Sequence, residues 1–324
     1  MQHYVHYITC INRGLAVANK HNPSFVMKHH EVAVGVDLLA GTQSARRAME
    51  EHGLFYVPID IRPKVYSAVE EDFVYNLEAD LLHETPETLY RKVRQYIKEK
   101  KGLKSTEKLK IRLVITTASP DCSTFSRLND INRNRNCCYR DTTHPDAPPV
   151  KYPPEYRKRA ILGDLLVKKV KKILFAWYRH SGKTMKFVVE NPDAYLKCRP
   201  YMKYKKCWVE NVYLHKVDYC AYGHFWKKPT DIWTNVANWK PKGISGNGRC
   251  NNDCKYGSFC PVTSRFRHCF EFTHRGAKTI HSKATKQKMG LSVTKDGLNR
   301  GHNAHRIMIP HALHAEIIAA ALRK

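Results

Sequence analysis

Two short stretches of this chain carry side chains suited to covalent and acid–base chemistry. The first is Ser119-Pro120-Asp121-Cys122-Ser123-Thr124-Phe125-Ser126. A cysteine thiol becomes a nucleophile where nearby cations or helix amides favour its thiolate. The alternative for Cys122 is a small, buried apolar residue. The second stretch is Glu190-Asn191-Pro192. A carboxyl group whose pKa is raised by burial can donate a proton near neutral pH. Standing alone, Glu190 would read as an ordinary loop carboxylate.

The elements before these stretches give them a shared location. Ile111–Thr117 is β-branched and apolar and reads as a buried strand; proline and small polar residues then place Cys122 on a loop at its carboxyl end. Met185–Val189 is a second apolar strand and runs into Glu190. Ligands and reacting groups gather at the carboxyl ends of strands in open α/β sheets, so Cys122 and Glu190 are expected to face one crevice.

A third group of residues suggests a cofactor. Glu31–Leu39 reads as a buried strand, Ala40-Gly41-Thr42-Gln43-Ser44 as a turn, and Ala45–His52 as a helix stopped by Gly53. The next strand, from Leu54, ends near Asp60. This order is that of a nucleotide-binding βαβ half, in which small turn residues admit a cofactor and Asp60 accepts bonds from ribose hydroxyls. Turn and cap duty is the alternative for Asp37 and Asp60.

The rest of the catalytic region follows from composition and period. Helices are expected at Pro86–Lys101 and Glu155–His180, the latter with one apolar stripe from Ile161 to Trp177. Lys168, Lys169, Lys171 and Lys172 read as its solvated flank. Between them, Asn129–Pro154 is polar, arginine-bearing and proline-rich, a long loop placed to fold over a substrate. Tyr201–Lys206 alternates basic and aromatic residues, a pattern suited to a nucleic-acid backbone.

Residues 236–300 change in character, with Gly, Asn, Lys, Cys and His in place of apolar periods. Too few apolar residues remain for an independent core. Cys250, Cys254, Cys260 and His268, with Cys269 and His274 nearby, form a ligand pool for a structural zinc. Unrelated reduced cysteines in a basic loop are the alternative. The expected organisation is an arm over 1–30, a catalytic domain over 31–235, a basic recognition lobe over 236–300, and a docking helix within 301–324.

Charge is the compositional outlier. Among 324 residues, 56 Lys and Arg oppose 29 Asp and Glu, a net charge of +27, with a pI near 9.7. Self-repulsion on this scale favours an anionic partner, and nucleic acid is the expected one. The basic residues are spread through every element rather than lining one amphipathic helix, which argues against a membrane surface. No apolar run approaches a membrane span, and no signal-peptide core opens the chain. The eleven cysteines are therefore expected to be reduced, in an intracellular monomer: nuclear in a eukaryotic source or host, cytoplasmic otherwise.

In this order the motifs resemble the cytosine-5 methyltransferase family. Asp37-Leu38-Leu39-Ala40-Gly41 resembles its first motif, Pro120-Asp121-Cys122 with Phe125-Ser126 its catalytic loop, and Glu190-Asn191-Pro192 its Glu-Asn motif. Tyr219–Asn235 is similar to compact phage and large-DNA-virus members, with Lys228 as the cation left from the family's arginine pattern. The resemblance implies a Rossmann-like, S-adenosylmethionine-dependent methyltransferase sheet with helices on both faces, plus the small Cys/His-rich lobe. It implies methylation of cytosine carbon 5 in DNA through a covalent Cys122 adduct, with the base flipped out and Glu190 as proton donor. Asp37, Leu38, Gly41, Asp60 and Asp80 would hold the cofactor. RNA as the substrate polymer, or a silent nucleic-acid-binding scaffold, are the alternatives. Asp121 stands where the family has proline, and an adjacent carboxylate should raise the thiol's pKa.

Overall fold

The computed structural model describes residues 30–65, 72–104, 106–126, 138–203, 208, 211–224, 227–251 and 309–323, and the backbone alone of 29, 66–67, 257–260 and 265–268. The central feature is a seven-stranded sheet. Its strands are β1 (His29–Leu38), β2 (Phe55–Asp60), β5 (Leu77–Glu78), β6 (Lys108–Ala118), β7 (Lys186–Pro192), β8 (Tyr213–Asp218) and β9 (Pro229–Thr234). A hairpin of β3 (Lys64–Ser67) and β4 (Asp72–Tyr75) stands apart between β2 and β5. The strand order is β5-β2-β1-β6-β7-β9-β8. Every pairing from β5 to β7 is parallel, and β9 runs antiparallel to both of its neighbours.

Alternation along the strands builds a core on each face. Val32, Val34, Val36 and Leu38 of β1 point to one side, where α2 (Pro86–Lys100) and α3 (Pro154–His180) pack through Leu89, Val93, Ile97, Val170, Ile173 and Trp177. The other side is covered by α1 (Arg46–Glu51) and α5 (His311–Leu322), through Ala48, Met49, Leu313, Ile317 and Ile318. A short helix, α4 (Pro200–Lys203), lies after β7. This is a mixed α/β, mostly parallel sheet flanked by helices, compatible with a methyltransferase fold.

Local chemistry explains the helix limits. Thr85 caps α2 by accepting from the Thr88 amide at 3.1 Å while the Thr88 hydroxyl accepts from the Thr85 amide at 2.8 Å. Pro86 follows at the first helical position, where a missing N–H costs nothing. The indole of Trp177 donates to the Pro86 carbonyl at 3.0 Å and so ties α3 to the start of α2.

The limits of α3 agree with the sequence expectation to within a residue, but β7 runs past Val189 to Pro192 because pairing with β9 continues that far. The hairpin β3–β4 follows from cross-strand pairing that no local pattern announces. Among the described residues no helix is long and apolar enough to cross a membrane.

Helix α5 is held by one carboxylate. Glu316 accepts from Trp239 Nε1 at 2.9 Å, the Tyr222 hydroxyl at 3.2 Å, and the amides of Lys242 and Gly243 at 3.0 and 3.2 Å. Bonds to a charged acceptor are the stronger kind. Glu316→Ala is expected to lower unfolding free energy by about 1.5–3 kcal/mol, with Glu316→Gln milder, in urea titrations followed by tryptophan fluorescence.

Candidate active site

The loop after β6 is fixed from several directions. The Cys122 carbonyl accepts from the amides of Phe125 and Ser126, both at 3.0 Å, which closes a tight turn behind the thiol. Asp121 folds its carboxylate onto Ser123, taking the amide at 2.9 Å and the hydroxyl at 2.6 Å. The buried Asn191 donates to the Pro120 carbonyl at 3.0 Å. The residue beside Glu190 therefore holds the residue two before Cys122.

Arg140 secures the far side of this loop. Its guanidinium is 2% exposed and lies 4.0 Å from the centre of the Phe125 ring. It donates to the Thr124 carbonyl at 2.8 Å and pairs with Asp164 of α3 at 3.0 Å. Asp164 also takes Arg199 at 2.9 Å and the Tyr201 hydroxyl at 2.8 Å. Gly163 of α3 is required here, since a Cβ at that position would sit 2.7 Å from Thr124 Oγ1. Arg140 lies in the stretch the sequence reads as a long polar loop, and burial of its guanidinium has no local signature.

Glu190, Lys228 and Cys122 lie together at the carboxyl ends of β6 and β7. Lys228 Nζ is 3.3 Å from Glu190 Oε1. Tyr219, in the turn after β8, donates its hydroxyl to the same Oε1 at 2.7 Å, and its ring centre is 4.8 Å from Lys228 Nζ. Burial pushes the Cys122 thiol up from its ordinary value; the Lys228 ammonium opposes this, while the carboxylates of Glu190 and Asp121 add to it. Burial also pushes the Tyr219 phenol well up, reinforced by Glu190. Sequence reasoning missed Tyr219. The signal was an aromatic at the end of a strand whose register to β7 could not be read.

The cofactor candidates occupy the next three strand ends. Asp37 is buried at the end of β1 and accepts from the hydroxyls of Thr117 at 2.6 Å and Tyr56 at 3.0 Å. Leu38 is buried beside it. Gly41 adopts φ +48°, in the left-handed region that favours glycine, and its amide donates to Asp60 Oδ2 at 3.0 Å. Arg62 pairs with the other Asp60 oxygen at 3.2 Å. Asp80, just beyond β5, takes the Leu82 amide at 3.0 Å and keeps a partly exposed carboxylate. Asp37 and Asp60 are buried with their oxygens already bonded, whereas the partly exposed Asp80 keeps an acidic acceptor that fits the hydroxyls or positive charge of an adenosyl methyl donor.

The zinc pool is largely beyond view. Cys254 lies outside the described residues, and only backbone is described for Cys260 and His268. These two sit at opposite ends of the hairpin β10 (Gly257–Cys260) and β11 (Arg265–His268), since Gly257 pairs with His268 and Cys260 with Arg265. Among the described residues no group of His, Cys, Asp or Glu is arranged to hold a metal ion. Residues 236–251 lean on the body, with Val236 and Trp239 buried in the core beneath α5.

Asp37 generates a pH prediction. Burial, the largest cause, raises its pKa from 3.8 to about 6, against the bonds from Thr117 and Tyr56. The folded chain then binds its proton more tightly than the unfolded chain, so stability falls as pH rises from about 4 to about 6, by about 3 kcal/mol. Asp37→Asn removes this slope. Urea unfolding at pH 4.5 and 7 should show the variant gaining on the parent at the higher pH; equal differences at both would refute the assignment.

Comparison with known proteins adds one relative and no family model. The chain is 29% identical over 155 residues to a protein described as a probable DNA (cytosine-5)-methyltransferase of Frog virus 3 (isolate Goorha). The match covers 48% of this chain, which spans 59% of the length of that relative. The resemblance of this chain to the cytosine-5 DNA methyltransferases, carried by the order of its motifs, thus has a sequence relative behind it over about half of its length.

Proposed function

We propose that this chain is an S-adenosylmethionine-dependent methyltransferase acting on carbon 5 of cytosine in DNA, on a Rossmann-like methyltransferase sheet. The observation that carries the reading is the meeting of Cys122, Glu190 and Lys228 at the ends of neighbouring strands, beside the acidic turn of Asp37, Gly41 and Asp60. Carbon 5 of cytosine is a poor nucleophile. The Cys122 thiolate bonds to ring carbon 6 while Glu190 passes a proton to ring nitrogen 3, and the ring becomes an enamine with a nucleophilic carbon 5. S-adenosylmethionine would be held by Asp37, Leu38, Gly41, Asp60 and Asp80, and when bound it supplies an electrophilic methyl group. Loss of the carbon 5 proton to a base, with cleavage of the sulfur–carbon 6 bond, then returns Cys122 to its thiolate, and the nitrogen 3 proton goes back to Glu190.

Lys228 has two tasks in this scheme. It favours the thiolate, which burial and two carboxylates oppose, and it faces the Glu190 carboxylate left after proton transfer. The base must leave the duplex stack to reach the crevice. The net charge of +27 supports a polyanionic substrate, with phosphates held by dispersed lysines and arginines. Residues 236–300 are proposed as the recognition lobe.

The test is methyl incorporation into cytosine-containing DNA, with matched RNA alongside. Incorporation is expected with the parent chain and DNA, and none with Cys122→Ala; equal incorporation by both removes the nucleophile assignment, and labelling of RNA alone changes the substrate. The electrostatics give a second outcome. Iodoacetamide should alkylate Cys122 more slowly in Lys228→Met and faster in Glu190→Gln, by about threefold for each unit of pKa moved, since a thiolate of lower pKa is also a weaker nucleophile. Mass spectrometry of the Cys122 peptide at pH 7.5 reads both rates.

A further inference from the structure

We infer that Tyr219 is a positioning residue for Glu190: its phenol fixes one oxygen of the carboxyl group, so that the proton given to the substrate leaves from the other. The inference deepens the proposed reaction and rests on it. Two donors converge on Oε1, the Tyr219 hydroxyl at 2.7 Å and Lys228 Nζ at 3.3 Å. No described residue donates to Oε2. A protonated carboxyl group accepts through its carbonyl oxygen and donates through its hydroxyl, so this arrangement suits a proton carried on Oε2.

The transfer balances within these groups. The Oε2–H bond breaks, a bond from hydrogen to ring nitrogen 3 forms, and the electron pair stays on the carboxylate. The negative charge then appears on a group that already has a phenol and an ammonium aimed at it. Donors fixed in place before charge develops stabilise the transition state without reorganising.

Tyr219 is built for that constancy. It is fully buried, and its elevated pKa keeps the hydroxyl a donor across the working range. Its amide donates to the Lys228 carbonyl at 3.3 Å, and its ring faces the Lys228 ammonium. His224 meets the ring edge-on at 5.9 Å between centroids. One residue thus sets the place of both groups flanking the Glu190 carboxyl.

Tyr219→Phe keeps the ring and removes the donor. Two rates are measured: methylation of DNA, and exchange of the cytosine carbon 5 hydrogen with deuterated water without a methyl donor. The exchange needs only thiolate addition and the Glu190 proton. The variant is expected to lose about 10- to 100-fold in both rates at saturation, with KM for DNA unchanged within about twofold and folding retained by thermal melting. In a Glu190→Gln background the same substitution should cost nothing further, since Tyr219 acts through Glu190. A kcat within twofold of the parent, a loss confined to KM or melting temperature, or equal losses in both backgrounds each overturns the inference. Absence of both exchange and methylation in the parent removes the reaction itself, and the inference with it.

Discussion

A buried carboxyl group must be met by donors, and the direction of one strand decides which donors can reach Glu190. Strand β9 runs against β7 and β8 and lies between them. Its beginning is therefore level with their ends: Thr230 pairs with Pro192, and Pro229 with Asp218. Lys228 and Tyr219 arrive at Glu190 as a consequence. A parallel β9 would put Lys228 at the opposite edge of the sheet and leave the carboxyl group without a cation. The antiparallel insertion thus converts two surface-type residues into partners of a crevice.

The same geometry lets a strongly basic chain fold compactly. Buried or half-buried carboxylates are bracketed by cations: Asp164 by Arg140 and Arg199, Asp193 by Lys197 and Lys216, Asp218 by Arg249. Such pairs contribute little net stability after desolvation, but removing one member leaves a costly buried charge. Their value lies in fixing position. Arg140 and Asp164 hold the turn after Cys122 against α3, and the Lys197–Asp231 contact of 3.6 Å ties the turn after β7 to β9.

Much of the site was legible because the relevant signals are local. Apolar runs ending in Cys122 and Glu190, and a turn glycine between two acidic strand ends, can be read within windows of a few residues. Lys228 came from the motif order. Tyr219, Arg140 and Glu316 were not legible, since each acts across a register or a loop closure that the sequence does not display. The bond from Tyr219 to Glu190 spans 29 positions and that from Glu316 to Trp239 spans 77. Asp121 is a middle case. The sequence predicts that its charge opposes the thiolate, and it does, although Ser123 draws the carboxylate back onto the loop.

The seating of α5 has a consequence for the order in which the chain can become native. On the face that α1 covers only in part, Val114, Val188 and Ile232 share a core with Leu313, Ile317 and Ile318, so its burial is completed when α5 arrives. The contact between Ser44 and His314 joins residues 270 positions apart. A chain emerging from the ribosome can pair β1, β2, β6 and β7 and cover them with α2 and α3 long before that. Until α5 is made, the part of the opposite face that α1 leaves uncovered remains an apolar surface open to chaperones or to other nascent chains. Loop closure over such a separation slows the final docking step. Docking of α5 is therefore the event that turns a partly covered sheet into one with a closed second core.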